Sequence, residues 1–296
     1  EALTREAKAA VRAAVENEQP FFLYMAHYAV HAPFQADPRF SEHYRDSGKT
    51  DPAQAFATLI EGMDKSLGDL LAQLDELQIA ENTLVLFLGD NGSDAPLGHE
   101  HQVASAAPLR GRKGAHYEGG MRVPFIAAWA RGHADNACQQ RLPIAAGAIQ
   151  PQLAAVYDLF PTVLAACDIR LPAGLPCDGQ RLDRLLRGQS DPEHAQTFLM
   201  HYPHAPHRSD YFTVYRQGEW KVIYHYYPSP ASEGSHYQLF NLERDPFESN
   251  NLAAREPQRL RDLMDGLREQ LQAQGAQYPL AANGGPLEPQ LPPPQL

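Results

Sequence analysis

Residues 4–17, rich in Ala, Glu, Lys and Arg, run up to Gln19-Pro20, and the six that follow, Phe21-Phe-Leu-Tyr-Met-Ala26, are almost all apolar. The first pattern predicts a helix and the second a buried strand. From Asp51-Pro52, an N-cap followed by a proline at the first helical position, the apolar residues Phe56, Leu59, Ile60, Met63, Leu67, Leu70, Leu71, Leu74 and Leu77 recur at helical spacing. They define a long amphipathic helix. A second apolar run, 83–88, stops at Gly89-Asp90-Asn91-Gly92, and a third, 121–128, follows a Gly-, His- and Arg-rich stretch too long for a mere spacer. Helices alternating with apolar strands predict an α/β fold: a doubly wound, mostly parallel sheet flanked by helices. In such sheets ligands sit beyond the carboxyl ends of strands, where Asp90 and Asn91 fall.

The texture changes after Pro192. Residues 154–167 and 182–186 still read as helices, but 197–200, 211–215, 220–224 and 237–240 are short aromatic or β-branched runs separated by turns, which predict a small antiparallel sheet. A last amphipathic helix covers 256–273. The expected organisation is an α/β region over 1–195, an antiparallel α+β subdomain over 196–282, and a Pro-rich tail, 283–296, disordered or extended.

Thirty-six acidic residues against 25 basic ones give a net charge of −11 in 296 residues, leaving no surplus of cations to neutralise a phosphate backbone. Nucleic acid is excluded as the expected partner. No apolar run is long enough to span a bilayer. The three cysteines, Cys138, Cys167 and Cys177, are odd in number and lack metal-type spacing, so they read as ordinary thiols.

Several groups carry candidate chemistry. Asp90-Asn91 offers two adjacent oxygen donors of the kind hard cations take, although Asp-Asn-Gly is equally an Asx turn. His31, just past the first apolar run, has a proton-transfer side chain at another strand end, and is equally a hydrogen-bonded loop residue. Arg110, Arg112, Lys113 and Arg122 lie among four glycines, either as an anion clamp or as a solvated basic loop. His201 and His204 follow a predicted strand, with His207 just beyond.

Four ordered segments then converge on one family. Phe21-Phe-Leu-Tyr-Met-Ala-His-Tyr-Ala-Val-His-Ala-Pro33, Leu86-Phe-Leu-Gly-Asp-Asn-Gly92, Gly111-Arg-Lys-Gly-Ala-His-Tyr-Glu-Gly-Gly-Met-Arg-Val-Pro124 and Leu239-Phe-Asn-Leu-Glu-Arg-Asp-Pro246 resemble the formylglycine-dependent sulfatases of the arylsulfatase type, in the alkaline-phosphatase-like superfamily. The resemblance extends over about residues 1–273, the carboxyl-terminal part of such an enzyme. It implies a sulfuric ester hydrolase acting on sulfated carbohydrates or aryl sulfates, and export to the periplasm or the extracellular space. It also implies that Asp90 and Asn91 belong to a Ca2+ site, that Lys113 contacts the sulfate and ester oxygen, that His31 acts near the leaving group, and that His201 and His204 face the substrate.

One family feature is missing. The nucleophile arises from Cys or Ser in a Cys/Ser-x-Pro-x-Arg motif preceded by paired aspartates, and neither occurs here: Cys138 precedes Gln-Gln-Arg, Cys167 precedes Asp-Ile-Arg and Cys177 precedes Asp-Gly-Gln. The expectation is a chain that lacks the amino-terminal part of its parent and is inactive alone. The rivals are a phospho- or phosphonate-ester hydrolase of the same superfamily and a catalytically silent carbohydrate-binding or interaction module.

Overall fold

The first helix, α1 (Ala2–Glu16), lies along the long helix α3 (Asp51–Glu76), with the short α2 (Ser41–Tyr44) between them in sequence. The computed structural model describes residues 1–93, 106–204 and 209–293. Helix α3 begins one residue earlier than its sequence signal, because Thr50 is the N-cap and Pro52 sits in the first turn. Val11, Leu74 and Ala80 form the core between the two helices. Polar pairs fix their register: Thr4 Oγ1 meets Ser66 Oγ at 2.8 Å, and Gln73 Nε2 donates to Lys8 O at 2.8 Å.

Strand β1 (Leu84–Leu88) follows, then the helical turn α4 (Glu118–Met121) and strand β2 (Phe125–Trp129). These two strands pair antiparallel, from Leu84 opposite Trp129 to Leu88 opposite Phe125, where parallel pairing was expected. A parallel return needs a packed crossover, usually a helix of several turns. The described part of 89–124 holds only the four-residue α4, and β2 lies antiparallel alongside β1. The predicted strand at 21–26 is also not formed. No strand among the described residues pairs with it, and Phe22 and Tyr24 are 80% and 78% exposed. An apolar run becomes a strand only where a neighbour accepts its backbone bonds.

Beyond α5 (Ala137–Arg141), α6 (Leu159–Ala166) and α7 (Asp183–Leu186), the four-stranded sheet holds the main core. Strands β3 (Thr197–Tyr202), β4 (Phe212–Gln217), β5 (Trp220–His225) and β6 (Tyr237–Asn241) form an antiparallel meander in sequence order. The two faces of β5 separate as a period of two requires. Val222 and Tyr224 join Tyr215 and Leu239 under Leu263, Met264, Leu267 and Leu271 of the last helix, α8 (Pro257–Ala273). Ile223 joins Phe212, Val214 and Phe240 on the opposite face, against Tyr117 and Met121. The sheet is therefore sandwiched between α8 and the segment that leads into β2.

The tail turns at residues 282–284, where Gly284 N donates to Ala281 O, and is then held against the rest of the chain up to residue 293. Tyr237 donates to Gln290 O, Arg261 donates to Pro292 O, and Leu287 and Leu291 pack on the core beneath α8. No helix among the described residues is long and apolar enough to cross a membrane.

Candidate functional site

Asp90 and Asn91 stand at the exposed carboxyl end of β1, at the tip that the sequence pattern indicates. Gly92 donates to Gly120 O at 3.0 Å, and a Cβ on Gly92 would lie 2.1 Å from Gly119 O and 2.5 Å from Gly120 Cα. Only glycine allows this backbone-on-backbone approach. The contact joins the Asp90-Asn91 tip to the segment that carries Lys113. That segment is itself folded tightly, with Gly119 N donating to Arg110 O at 2.7 Å and Ala115 N to Arg112 O at 2.8 Å.

The expected cationic clamp divides in two. Arg110 donates to Glu248 O at 2.8 Å and lies over the Tyr117 ring at 3.8 Å, and Arg122 pairs with Glu118 at 3.0 Å. Both are used in holding the segment. Lys113, half-buried, makes no hydrogen bond or ion pair with a described residue.

His31 is exposed, with Nδ1 donating to Ala32 O at 2.7 Å, which leaves Nε2 to exchange a proton. No hydrogen bond or ring contact joins it to the Asp90 tip or the Lys113 segment. His201 sits on β3 with both ring nitrogens engaged. Nε2 donates to Gln277 O at 2.7 Å, and Nδ1 meets Thr213 Oγ1 at 2.7 Å. Burial pushes its pKa below the usual histidine value. His204 is exposed and lies against Tyr202 with ring centroids 4.1 Å apart. His207 and residues 94–105 of the Gly-rich stretch lie outside the described residues.

The structure also assembles buried polar residues that sequence reading passes over. Alternation along β5 turns Lys221, Ile223 and His225 to the face that meets residues 116–121. Lys221 is fully buried, and its Nζ lies 3.0 Å from Glu118 Oε1 and 2.8 Å from Glu248 Oε1. Glu118 N donates to Glu248 Oε2 at 2.7 Å. Burial alone would raise the Glu118 pKa, but Lys221, Arg122 and Arg216 outweigh it and hold that carboxyl below its usual range. Burial wins at Glu248 and raises it. Beside this network His116, Asp210 and His225 bring metal-type ligand atoms within 4.8 Å of one another. The only sequence signal for either group is a lysine and a histidine inside the otherwise apolar run of β5.

A family model for sulfatases matches residues 1–169, and the model described as N-sulphoglucosamine sulphohydrolase, C-terminal, matches residues 112–277. Steryl-sulfatase of Mus musculus is 30% identical over 277 residues, covering 84% of this chain and 40% of that protein. N-acetylgalactosamine-6-O-sulfatase of Bacteroides thetaiotaomicron is 29% identical over 272 residues, covering 84% of this chain and 46% of its own length. The solved structure of Ps i-CgsB superposes with a TM-score of 0.74 at 25% identity, over 91% of this chain and 54% of that one. The chain thus spans about half the length of the relatives it matches. Both family models run through the Arg112–Pro124 segment that binds the β1 tip to the four-stranded sheet, and on that ground the chain belongs to the sulfatase family.

Proposed function

We propose that these residues form the metal, leaving-group and substrate side of a sulfuric ester hydrolase that acts on a sulfated carbohydrate. The observation that carries this reading is the Gly92–Gly120 junction, which joins two oxygen donors to the Lys113 segment in a chain of the sulfatase family. As the S–O bond of a sulfate ester breaks, negative charge grows on the leaving oxygen. The Lys113 ammonium stabilises that charge, and His31, its Nδ1 committed to Ala32, delivers a proton from Nε2.

The Asp90 carboxylate and the Asn91 amide suit a hard cation. Asn91 Nδ2 is committed to Gly92 O at 3.0 Å, so Oδ1 is the atom that remains for a metal. Asp90 and Asn91 would hold Ca2+, which when bound supplies fixed positive charge beside the sulfate oxygens. In this reading residues 1–195 carry the metal and leaving-group side and 196–282 the pocket wall. His204 touches the sugar, and His201, with both nitrogens engaged, supports that wall. None of the three cysteines stands in the nucleophile motif, so the reading assigns the formylglycine to another part of the same protein.

The choice of a carbohydrate ester draws on the related N-acetylgalactosamine-6-O-sulfatase and on the Ps i-CgsB structure in complex with k-i-k-neocarrahexaose. A sulfated polysaccharide is met outside the cytoplasm, and the reading therefore includes export. The test is Lys113→Ala in the full-length enzyme with an aryl sulfate. We expect kcat to fall about 100-fold or more with KM little changed, because the stabilised charge exists only in the transition state. An unchanged kcat would remove Lys113 from this role.

A further inference from the structure

We infer that His116, Asp210 and His225 form a binding site for a divalent transition cation of the Zn2+ class, which staples the 110–122 segment to the four-stranded sheet. The site lies apart from Asp90 and Asn91, and its donors differ in kind: two imidazoles and a carboxylate suit Zn2+, whereas Ca2+ takes oxygen.

Unpaired atoms gather here. His116, Ser209, Asp210 and Gln238 contribute five of the ten buried side-chain nitrogens and oxygens that have no hydrogen-bond partner among the described residues. His116 is 5% exposed, and neither of its ring nitrogens has a hydrogen-bond partner among the described residues. Its Nδ1 points towards Asp210 Oδ1 at 3.8 Å, and its ring stands edge-on to that of His225 with centroids 4.9 Å apart. An imidazole buried with both nitrogens unpaired is costly, and a cation that takes one of them removes much of the cost.

The tautomer of His225 gives a second, independent argument. Its Nε2 lies 3.0 Å from Gln238 Oε1, which also accepts from the Tyr117 hydroxyl at 2.8 Å. An amide oxygen only accepts, so Nε2 carries the proton, and in the neutral ring that proton is the only one. Nδ1 then presents a lone pair to Asp210 Oδ2 at 2.9 Å, an acceptor facing an acceptor. A cation bound by both resolves the conflict; a second proton on the ring, making an ion pair with Asp210, resolves it too, and metal uptake distinguishes the two. Gln238 becomes the outer partner that orients a ligating histidine, an arrangement common to metal sites.

The spacing is close to what such an ion requires. Zn–N bonds of about 2.0–2.1 Å put tetrahedral donors roughly 3.3 Å apart, so the separations of up to 4.8 Å close by side-chain rotation. The Asp210 side chain is 19% exposed, so the group is open to solvent on that side. Lys221 and Arg110 place positive charge towards His116; Glu118 and Glu248 offset that of Lys221, and the Asp210 carboxylate is the group that favours a cation there.

The test is metal uptake by the chelator-treated full chain. Titration calorimetry with ZnCl2 should show one ion bound per chain with micromolar or tighter affinity, undisturbed by equal Ca2+. X-ray absorption of the Zn2+-loaded chain should show two imidazole nitrogens and no sulfur. His116→Gln and His225→Gln should each weaken binding at least tenfold with unchanged far-UV circular dichroism. Failure of the wild-type chain to take up Zn2+, a sulfur-containing shell, or wild-type affinity in either folded variant would overturn the proposal. The first of these is expected if the Gln238 amide is turned, so that His225 Nδ1 simply donates to Asp210. If a variant misfolds, the absorption spectrum of the wild-type chain decides alone. None of these readouts involves sulfate-ester turnover, so they stand whether or not the sulfatase reading does.

Discussion

Replacing Lys221 by Met leaves Glu118 and Glu248 facing each other in the interior with their common cation gone. Lys221 is fully buried and pairs with both carboxylates, at 3.0 and 2.8 Å. Methionine fills a similar volume, so the loss is one of charge rather than of packing. Removing one partner of a buried ion pair costs about 3–5 kcal/mol, because the remaining charge is stranded. Arg122 still reaches Glu118 at 3.0 Å but is itself half-exposed, and it offsets only part of that cost. At a urea m-value of roughly 2 kcal/mol/M the unfolding midpoint should drop by about 2 M. Hydrogen exchange should rise over residues 110–122, since Glu118 anchors that segment. Adding Glu248→Gln to Lys221→Met should restore part of the stability, a non-additivity that identifies carboxylate repulsion as the cause. A loss below about 1 kcal/mol, or strictly additive variants, would refute the claim that this network holds the segment.

Gly92→Ala should cost at least about 2 kcal/mol and lower soluble yield, because its Cβ would lie 2.1 Å from Gly119 O; a variant with wild-type melting temperature would show that the junction can open. His201 gives an acid sensitivity. Burial holds its folded pKa below the ordinary histidine value of 6.5, so the unfolded chain binds the extra proton, and stability falls as pH drops from 6.5 through the folded value. Urea midpoints at pH about 5 and about 7.5 should therefore differ less in His201→Gln than in the wild type, and an unchanged difference would exclude this group as the source.

Local sequence determined much of this chain. The helices α1, α3 and α8 and all four strands of the carboxyl-terminal sheet follow from periodicity, because each is an amphipathic element whose pattern records which side it buries. The Asp90-Asn91-Gly92 tip and the Lys113 segment were also legible, since strand-end oxygens and glycine-spaced cations are local features. Strand partnership was not. The 83–88 run is apolar whether its neighbour runs parallel or antiparallel, and the 21–26 run is apolar although no described strand pairs with it. The tail after Asn283 has the composition of a disordered segment, yet Tyr237, Arg261 and the core beneath α8 hold it down to residue 293. The polar groups behind the Lys113 segment were least visible of all. Glu118, Lys221 and Glu248, like His116, Asp210 and His225, come from points as much as 130 residues apart in the chain. No local pattern encodes such a meeting, because the energy of a buried charge depends on which partners the tertiary fold brings within about 3 Å of it.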